Sequence, residues 1–154
     1  MAHQGHLLLK RFAAALALSL TLAGSCAPAL AADRVVKLTL DGRPVDRAGG
    51  VARLRNGVVY ADVVDLVKSF NGLLTFQGNA VEVSIGTTVA RFTVGSRTAM
   101  VDQGAITMPG QTFSYSGDIY VPLSVFITQV AHAKLRVDAS QSHADIFVNS
   151  NPLS

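Results

Sequence analysis

The sequence predicts an α+β fold: two pseudo-repeated units of β-hairpins plus one short helix each, packed as a single compact domain. Three observations carry this. Short alternating strands are punctuated by Asp41-Gly42 and Asn56-Gly57, the strongest short-range hairpin signals. Two segments with helical spacing open at Asp62 and Pro122, each directly after a strand. The stretch Gly57-Val58-Val59-Tyr60 returns as Gly117-Asp118-Ile119-Tyr120, an offset of 60.

The first residues stand apart from that pattern. Lys10-Arg11 precedes an apolar run of 12 residues, Phe12 to Ala23, and small residues end at Ala29-Leu30-Ala31. This is the layout of a secretory signal peptide, residues 1–31, on the general secretion route. The run is shorter than the roughly 20 apolar residues a membrane span needs. The only cysteine, Cys26, sits in Leu22-Ala23-Gly24-Ser25-Cys26. That stretch is a looser bacterial lipoprotein box, in which Cys26 would become the lipidated first residue; the Ala-Leu-Ala site is the better match. Cleavage after Ala31 leaves 123 residues, Ala32 to Ser154, without a thiol, so no disulfide framework is expected. Of 13 basic and 10 acidic residues, Lys10 and Arg11 leave, and eleven against ten is near neutrality. The remaining basic residues are scattered rather than striped, which argues against a nucleic-acid partner.

In order, Val35–Leu40 reads as a strand, Asp41-Gly42 as a turn, and Arg43-Pro44-Val45 as a return on a sheet edge, where proline is tolerated. Val51–Leu54 and Val58–Tyr60 flank Asn56-Gly57 as a second hairpin. Asp62 to Phe70 is a helix, with Val63, Leu66, Val67 and Phe70 on one face. Asp62 and Asp65 complement the helix dipole in the first turn and Lys68 in the last, and Asn71-Gly72 stops it. Leu73–Phe76 and Val81–Ile85 form a hairpin around Gly78-Asn79. Val89–Val94 begins a second series, with Ala99–Val101 and Ala105–Met108 around Asp102-Gln103-Gly104, then Thr112–Tyr115. Pro122 to Ala131 has β-branched residues, yet the proline start and the spacing Leu123, Phe126/Ile127, Val130 favour a helix with Pro122 at its first position. Lys134–Asp138 and Ala144–Val148 close the sheet; 149–154 is a polar tail.

Further equivalences extend the repeat, which spans about 35–88 and 89–148. Asp41-Gly42 matches Asp102-Gln103 and Leu74 matches Leu135 at 61, and Val83 matches Ile146 at 63. Tyr120-Val121-Pro122-Leu123, a helix, and then Lys134-Leu135-Arg136-Val137-Asp138 resemble the signature of the copper amine oxidase N-terminal domain-like family, the stalk domain. The resemblance covers about Val35 to Val148. That family's pattern has arginine where Ser124 stands, glycine at His132 and tryptophan at Val137; in the first half Asp62 stands for the proline and Phe76 for the tryptophan. The resemblance implies an exported, non-catalytic accessory module lacking the oxidase's copper ligands and quinone.

Candidate chemistry is sparse. On a strand His143 and Asp145 share a face, and with Asp138 they would make a metal corner or a small hydrolase site; a metal site needs further ligands. The plainer expectation is a solvent-facing histidine beside an acid on an edge strand. Ser124 and Ser142 lack the partners of a nucleophile, and no glycine opens a phosphate loop. No catalytic residue, metal ligand set or cofactor is assigned. The positive feature is aromatic: Phe113, Tyr115 and Tyr120 around the second hairpin, with Tyr60 at the equivalent place in the first. Exposed tyrosines stack on sugar rings or anchor partners; the alternative is core packing, favoured for Tyr60 and Tyr120, with Tyr115 at the surface. The sequence thus suggests an exported module, periplasmic or at the cell surface. Its expected partner is a wall polysaccharide or an envelope protein, a second copy included, and no membrane span is expected in the mature chain.

Overall fold

The structure, a computed structural model, describes residues 33–148; the expected signal peptide with Cys26, and the tail 149–154, lie outside the described residues. The chain runs β1 (Arg34–Leu40), β2 (Arg43–Pro44), β3 (Ala52–Arg55), β4 (Val58–Asp62), α1 (Val63–Ser69), β5 (Leu73–Gln77), β6 (Ala80–Ile85) and β7 (Thr88–Thr93). It continues as β8 (Thr98–Val101), β9 (Gly104–Thr107), β10 (Phe113–Tyr115), β11 (Asp118–Pro122), α2 (Leu123–Val125) leading into a π-helical turn (Phe126–Val130), then β12 (Lys134–Val137) and β13 (His143–Phe147). Strand dominates, and the strands form two sheets.

Backbone geometry at the turns explains the local pairing. Both residues of Asp41-Gly42 have positive φ (47° and 78°), as do those of Asn56-Gly57 (49° and 77°). That is the type I′ geometry whose twist matches paired strands. Asp102-Gln103 (45° and 68°) and Ser116-Gly117 (51° and 81°) adopt it as well.

The larger sheet has the order β10-β11-β4-β3-β1-β13-β12, with β2 beside the end of β1. The smaller runs β5-β6-β7-β8-β9. Every pairing is antiparallel except β1 with β13, where Lys37 faces His143 and Leu40 faces Ile146. The hairpin after α1 pairs with β7, and the hairpin after α2 pairs with β1. The first post-helix hairpin is therefore extended by the next strand in sequence, and the second by the first strand of the chain. At the centre β4 meets β11, with Tyr120 opposite Asp62, Val121 opposite Ala61 and Pro122 opposite Tyr60.

Both sheets and both helices feed one core. Val36, Leu38, Ala52 and Ala61 come from the larger sheet, Val81, Val83 and Phe92 from the smaller, and Leu66, Leu123 and Ile127 from the helices. Phe126 joins them: its ring lies 6.5 Å from Phe92 and 6.1 Å from Phe70.

Asp62 caps α1, its Oδ1 accepting from the Val64 N–H at 2.8 Å, which satisfies one otherwise orphaned donor. Pro122 departs from expectation. It is the last residue of β11 and the cap of α2, with ψ 120°, rather than the first helical residue. The helix also widens: the Ala131 N–H donates to the Phe126 carbonyl at 2.9 Å. This five-residue spacing defines a π-turn, and Phe126, Ile127 and Val130 are all buried on it.

His132 ends that turn at φ 51°, the left-handed region where a residue with a Cβ is strained. This accounts for the glycine expected there. The imidazole compensates: its Nε2 lies 2.8 Å from Thr88 Oγ1 on β7, a hydroxyl buried in the core. His132→Ala keeps the strain and loses the bond, whereas His132→Gly loses only the bond. Urea denaturation is expected to find the alanine variant less stable than the glycine variant by about 1 kcal/mol.

Candidate functional site

Alternation along β3 puts Arg53 and Arg55 on the outer face of the larger sheet. Three strands away, β10 puts Phe113 and Tyr115 on the same face. The side chains meet as a ladder. The Arg53 guanidinium carbon lies 4.6 Å from the Tyr115 ring centre, and that of Arg55 lies 3.7 Å from Phe113. Both are within cation–π range.

Beneath the ladder, Tyr60, Phe113 and Tyr120 form their own buried cluster. Phe113 meets Tyr60 edge-on at 4.8 Å and stacks on Tyr120 at 5.2 Å. Three of the four aromatic candidates are therefore enclosed and cannot stack on a ligand. Tyr115 is the exception, 44 % exposed. Tyr60 and Tyr120 face away from the main core, yet Phe113 of β10, itself under Arg55, covers them. Burial pushes the Tyr60 phenol upward, against Arg55 and Arg97. A groove of about 360 Å³ opens beside the cluster, lined by Arg55, Tyr60, Arg97, Gly110, Gln111 and Phe113.

The charges on this face are unevenly matched. Arg55 donates from Nε and Nη2 to Asp33 at 2.9 and 2.5 Å. Arg47 gathers three carboxylates: Nη1 lies 2.9 Å from Asp62 and 3.2 Å from Asp65, and Nη2 lies 3.0 Å from Asp118. Burial alone would lower the Arg47 pKa, but the three acids together raise it. Asp62 is fully buried, and desolvation pushes its carboxyl up despite the Val64 N–H and Arg47. Arg53 has no hydrogen bond or ion pair among the described residues, and its enclosed Nε lacks an acceptor. Arg97 donates to the Pro109 carbonyl at 3.1 Å and has no carboxylate partner among the described residues.

The three residues of the expected metal corner do other work. Asp138 organises the β12–β13 turn: Oδ1 accepts from the Ser142 and His143 N–H groups at 2.8 and 2.7 Å, and Oδ2 from the Ser140 and Ser142 hydroxyls. Those donors, Ser140 first, hold its carboxyl far below the usual range. Asp145 accepts from Thr39 Oγ1 at 2.5 Å and pairs with His143 Nε2 at 2.7 Å and Arg136 at 3.3 Å. Among the described residues no three His, Cys, Asp or Glu side chains are grouped to hold a metal. β13 is also not an edge strand, since it lies between β1 and β12. Ser142 belongs to the same turn, and Ser124 is exposed on α2.

Ser124 and Val137, which stand where the resemblance expects arginine and tryptophan, line one groove of about 210 Å³ with Val58, Val59, Pro109 and Leu135. The two missing large side chains thus leave a single apolar depression. Sequence reasoning missed the arginines. The signal was available in Arg53-Leu54-Arg55, two cations on one face of a strand, but not their aromatic partners.

Gly110 has room for no side chain, because a Cβ there would collide with the Tyr60 hydroxyl, with ring carbon Cζ next at 3.1 Å. Gly110→Ala is expected to cost about 1–3 kcal/mol, as overpacking does. Adding Tyr60→Phe removes the colliding hydroxyl, so the double variant should regain part of that loss in thermal melts.

The Arg55 hydrogen bonds hold Asp33 below its ordinary value. A lowered folded pKa gives stability that is complete above the unfolded value of about 4 and is lost as pH falls through the folded one. Asp33→Asn is therefore expected to flatten the fall in urea midpoint between about pH 4 and pH 2. A midpoint profile parallel to that of the unmodified protein would show that the pair contributes nothing.

No curated protein and no solved structure matches the chain. The family model of the copper amine oxidase N-terminal domain matches residues 39–146, from the end of β1 into β13, so the smaller sheet, the aromatic strands and most of the larger sheet fall within it. That family is a non-catalytic domain of the oxidases, and the protein described above belongs to the copper amine oxidase N-terminal domain family.

Proposed function

We propose that the chain beyond Ala31 is an exported, non-catalytic binding module of the bacterial cell envelope, periplasmic or at the cell surface, whose ligand is a wall polysaccharide. The observation that carries this reading is Tyr115. Its ring is 44 % exposed on an edge hairpin and backed by Arg53, while its aromatic neighbours are buried. A rigid aromatic surface with a polar tip suits a sugar ring. The non-catalytic part is supported by the use of Asp138 and Asp145 in local hydrogen bonds. Export rests on the residues 1–31 pattern.

We also infer that the two halves, about 35–88 and 89–148, are copies of one unit. The β4–β11 register supports it: Tyr120 faces Asp62 as Tyr60 faces Pro122, so the Ala61–Val121 pair sits where an approximate two-fold axis would pass.

A second reading is a protein partner, including another copy of the chain. It is favoured by edge strand β5, where Leu73 is 75 % and Phe76 55 % exposed. Sheet edges are ready templates for strand pairing.

Co-sedimentation with purified cell-wall sacculi tests the first reading. Pelleting should saturate with added sacculi and weaken in Tyr115→Ala. Protein that stays in the supernatant at every sacculus concentration would remove the polysaccharide and leave the β5 edge as the surface to pursue.

A further inference from the structure

The aromatic face is also a basic one, and two of its arginines have no ion-pair partner among the described residues. Of the arginines there, Arg55 holds Asp33 through Nε and Nη2, so a carboxylate already lies on the arginine–aromatic ladder. Arg53 stands two residues earlier on the same strand face, stacked on Tyr115; it acts on Asp33 through charge alone and makes no ion pair among the described residues. Arg97 lines the 360 Å³ groove next to Arg55 and Phe113 and likewise lacks one. The planar guanidinium fork is shaped for two-point contact with a carboxylate. Stacking on an aromatic ring orients Arg53 before any ligand arrives, which reduces the freedom lost on binding. Around the two cations, the exposed Tyr115 ring and the groove's Gln111 offer partners for a sugar face and its hydroxyls.

We propose that the ligand of this face is a carboxylate-bearing polysaccharide, with Arg53 and Arg97 taking acid groups and Tyr115 stacking on a sugar ring. This deepens, and rests on, the polysaccharide reading above. It goes beyond that reading by assigning the ligand's charge and naming the two residues that select for it. A glycan is favoured over an acidic peptide by the exposed Tyr115 ring beside Arg53, which a run of carboxylates alone would not use.

The probes are polygalacturonate, the same polymer fully methyl-esterified, and poly-glutamate, titrated against purified protein at low and at raised salt. Polygalacturonate is expected to bind at least about tenfold more tightly than its ester, the scale of one charge-assisted contact. Added salt should weaken the acid form and leave the ester form little changed. Arg53→Gln and Arg97→Gln should each erase most of the difference between acid and ester, and Tyr115→Ala should weaken both polymers. Arg53→Lys keeps the charge but loses the fork and is expected to fall between. Circular-dichroism melts of each variant separate a lost contact from a lost fold.

Equal binding of acid and ester, still weakened by Tyr115→Ala, would overturn the carboxylate assignment and leave the polysaccharide reading standing. Poly-glutamate bound as tightly as polygalacturonate would overturn the glycan in favour of an acidic peptide. Binding of neither glycan would overturn the carboxylate assignment, while pelleting with sacculi would still decide the polysaccharide reading.

Discussion

The antiparallel seam between β4 and β11 is the constraint on which the rest of the molecule depends. Each strand leads directly into a helix, so pairing them brings both helix starts to one place. Residues at the seam alternate strictly. Ala61 and Val121 point into the core and are fully buried, while Tyr60, Asp62 and Tyr120 point outward. A one-residue slip would exchange the two sets and put Asp62 among the apolar residues of the core, which explains why the register is well specified. Small Ala61 at the centre also lets the helices sit close behind the sheet.

From that seam the outer face follows. Tyr60 and Tyr120 are carried to the side away from the main core, where bare tyrosines would face water. They are instead roofed by Phe113 from β10, over which Arg55 of β3 lies. The same outward alternation brings Asp62 near Asp118, and Arg47 on the preceding loop closes the pair with Asp65. A buried carboxylate beside other acids is costly unless a cation joins it, so Arg47 is what makes the Asp62 cap tolerable in that position. The face is thus a small second core, aromatic below and guanidinium above. Its cations are matched at Arg47 and Arg55 and unmatched at Arg53 and Arg97.

The residues that first suggested chemistry resolve into architecture by the same physics. Asp138 saturates its carboxylate on four donors of one turn, and that turn is tethered to the β3–β4 turn by Gln141 donating to the Gly57 carbonyl at 3.0 Å. His143 and Asp145 share a strand face as alternation requires, but Thr39 and Arg136 complete that pair from the neighbouring strands. At His132 the backbone needs a left-handed residue, and a side chain that can bridge to Thr88 occupies a position where glycine would serve the backbone better.

By itself the sequence determined what depends on a few consecutive residues. The hairpins at Asp41-Gly42 and Asn56-Gly57, the helix start at Asp62 and the stop at Asn71 were legible because each is set by local φ preferences and short-range interactions. Helical spacing likewise identified Leu66, Val67, Phe126 and Ile127 as core. Only the tertiary structure decided which strands meet: that β4 faces β11, that the hairpin after the second helix is completed by β1, and that β13 lies inside the sheet. It also decided which side chains stay in water. Alternation places Tyr60, Tyr115 and Tyr120 on outward faces, yet what covers an outward face arrives from strands distant in sequence. Phe113, itself under Arg55, roofs Tyr60 and Tyr120, while Tyr115 carries Arg53 and stays partly exposed, because contact across a sheet is a property of pairing and not of spacing.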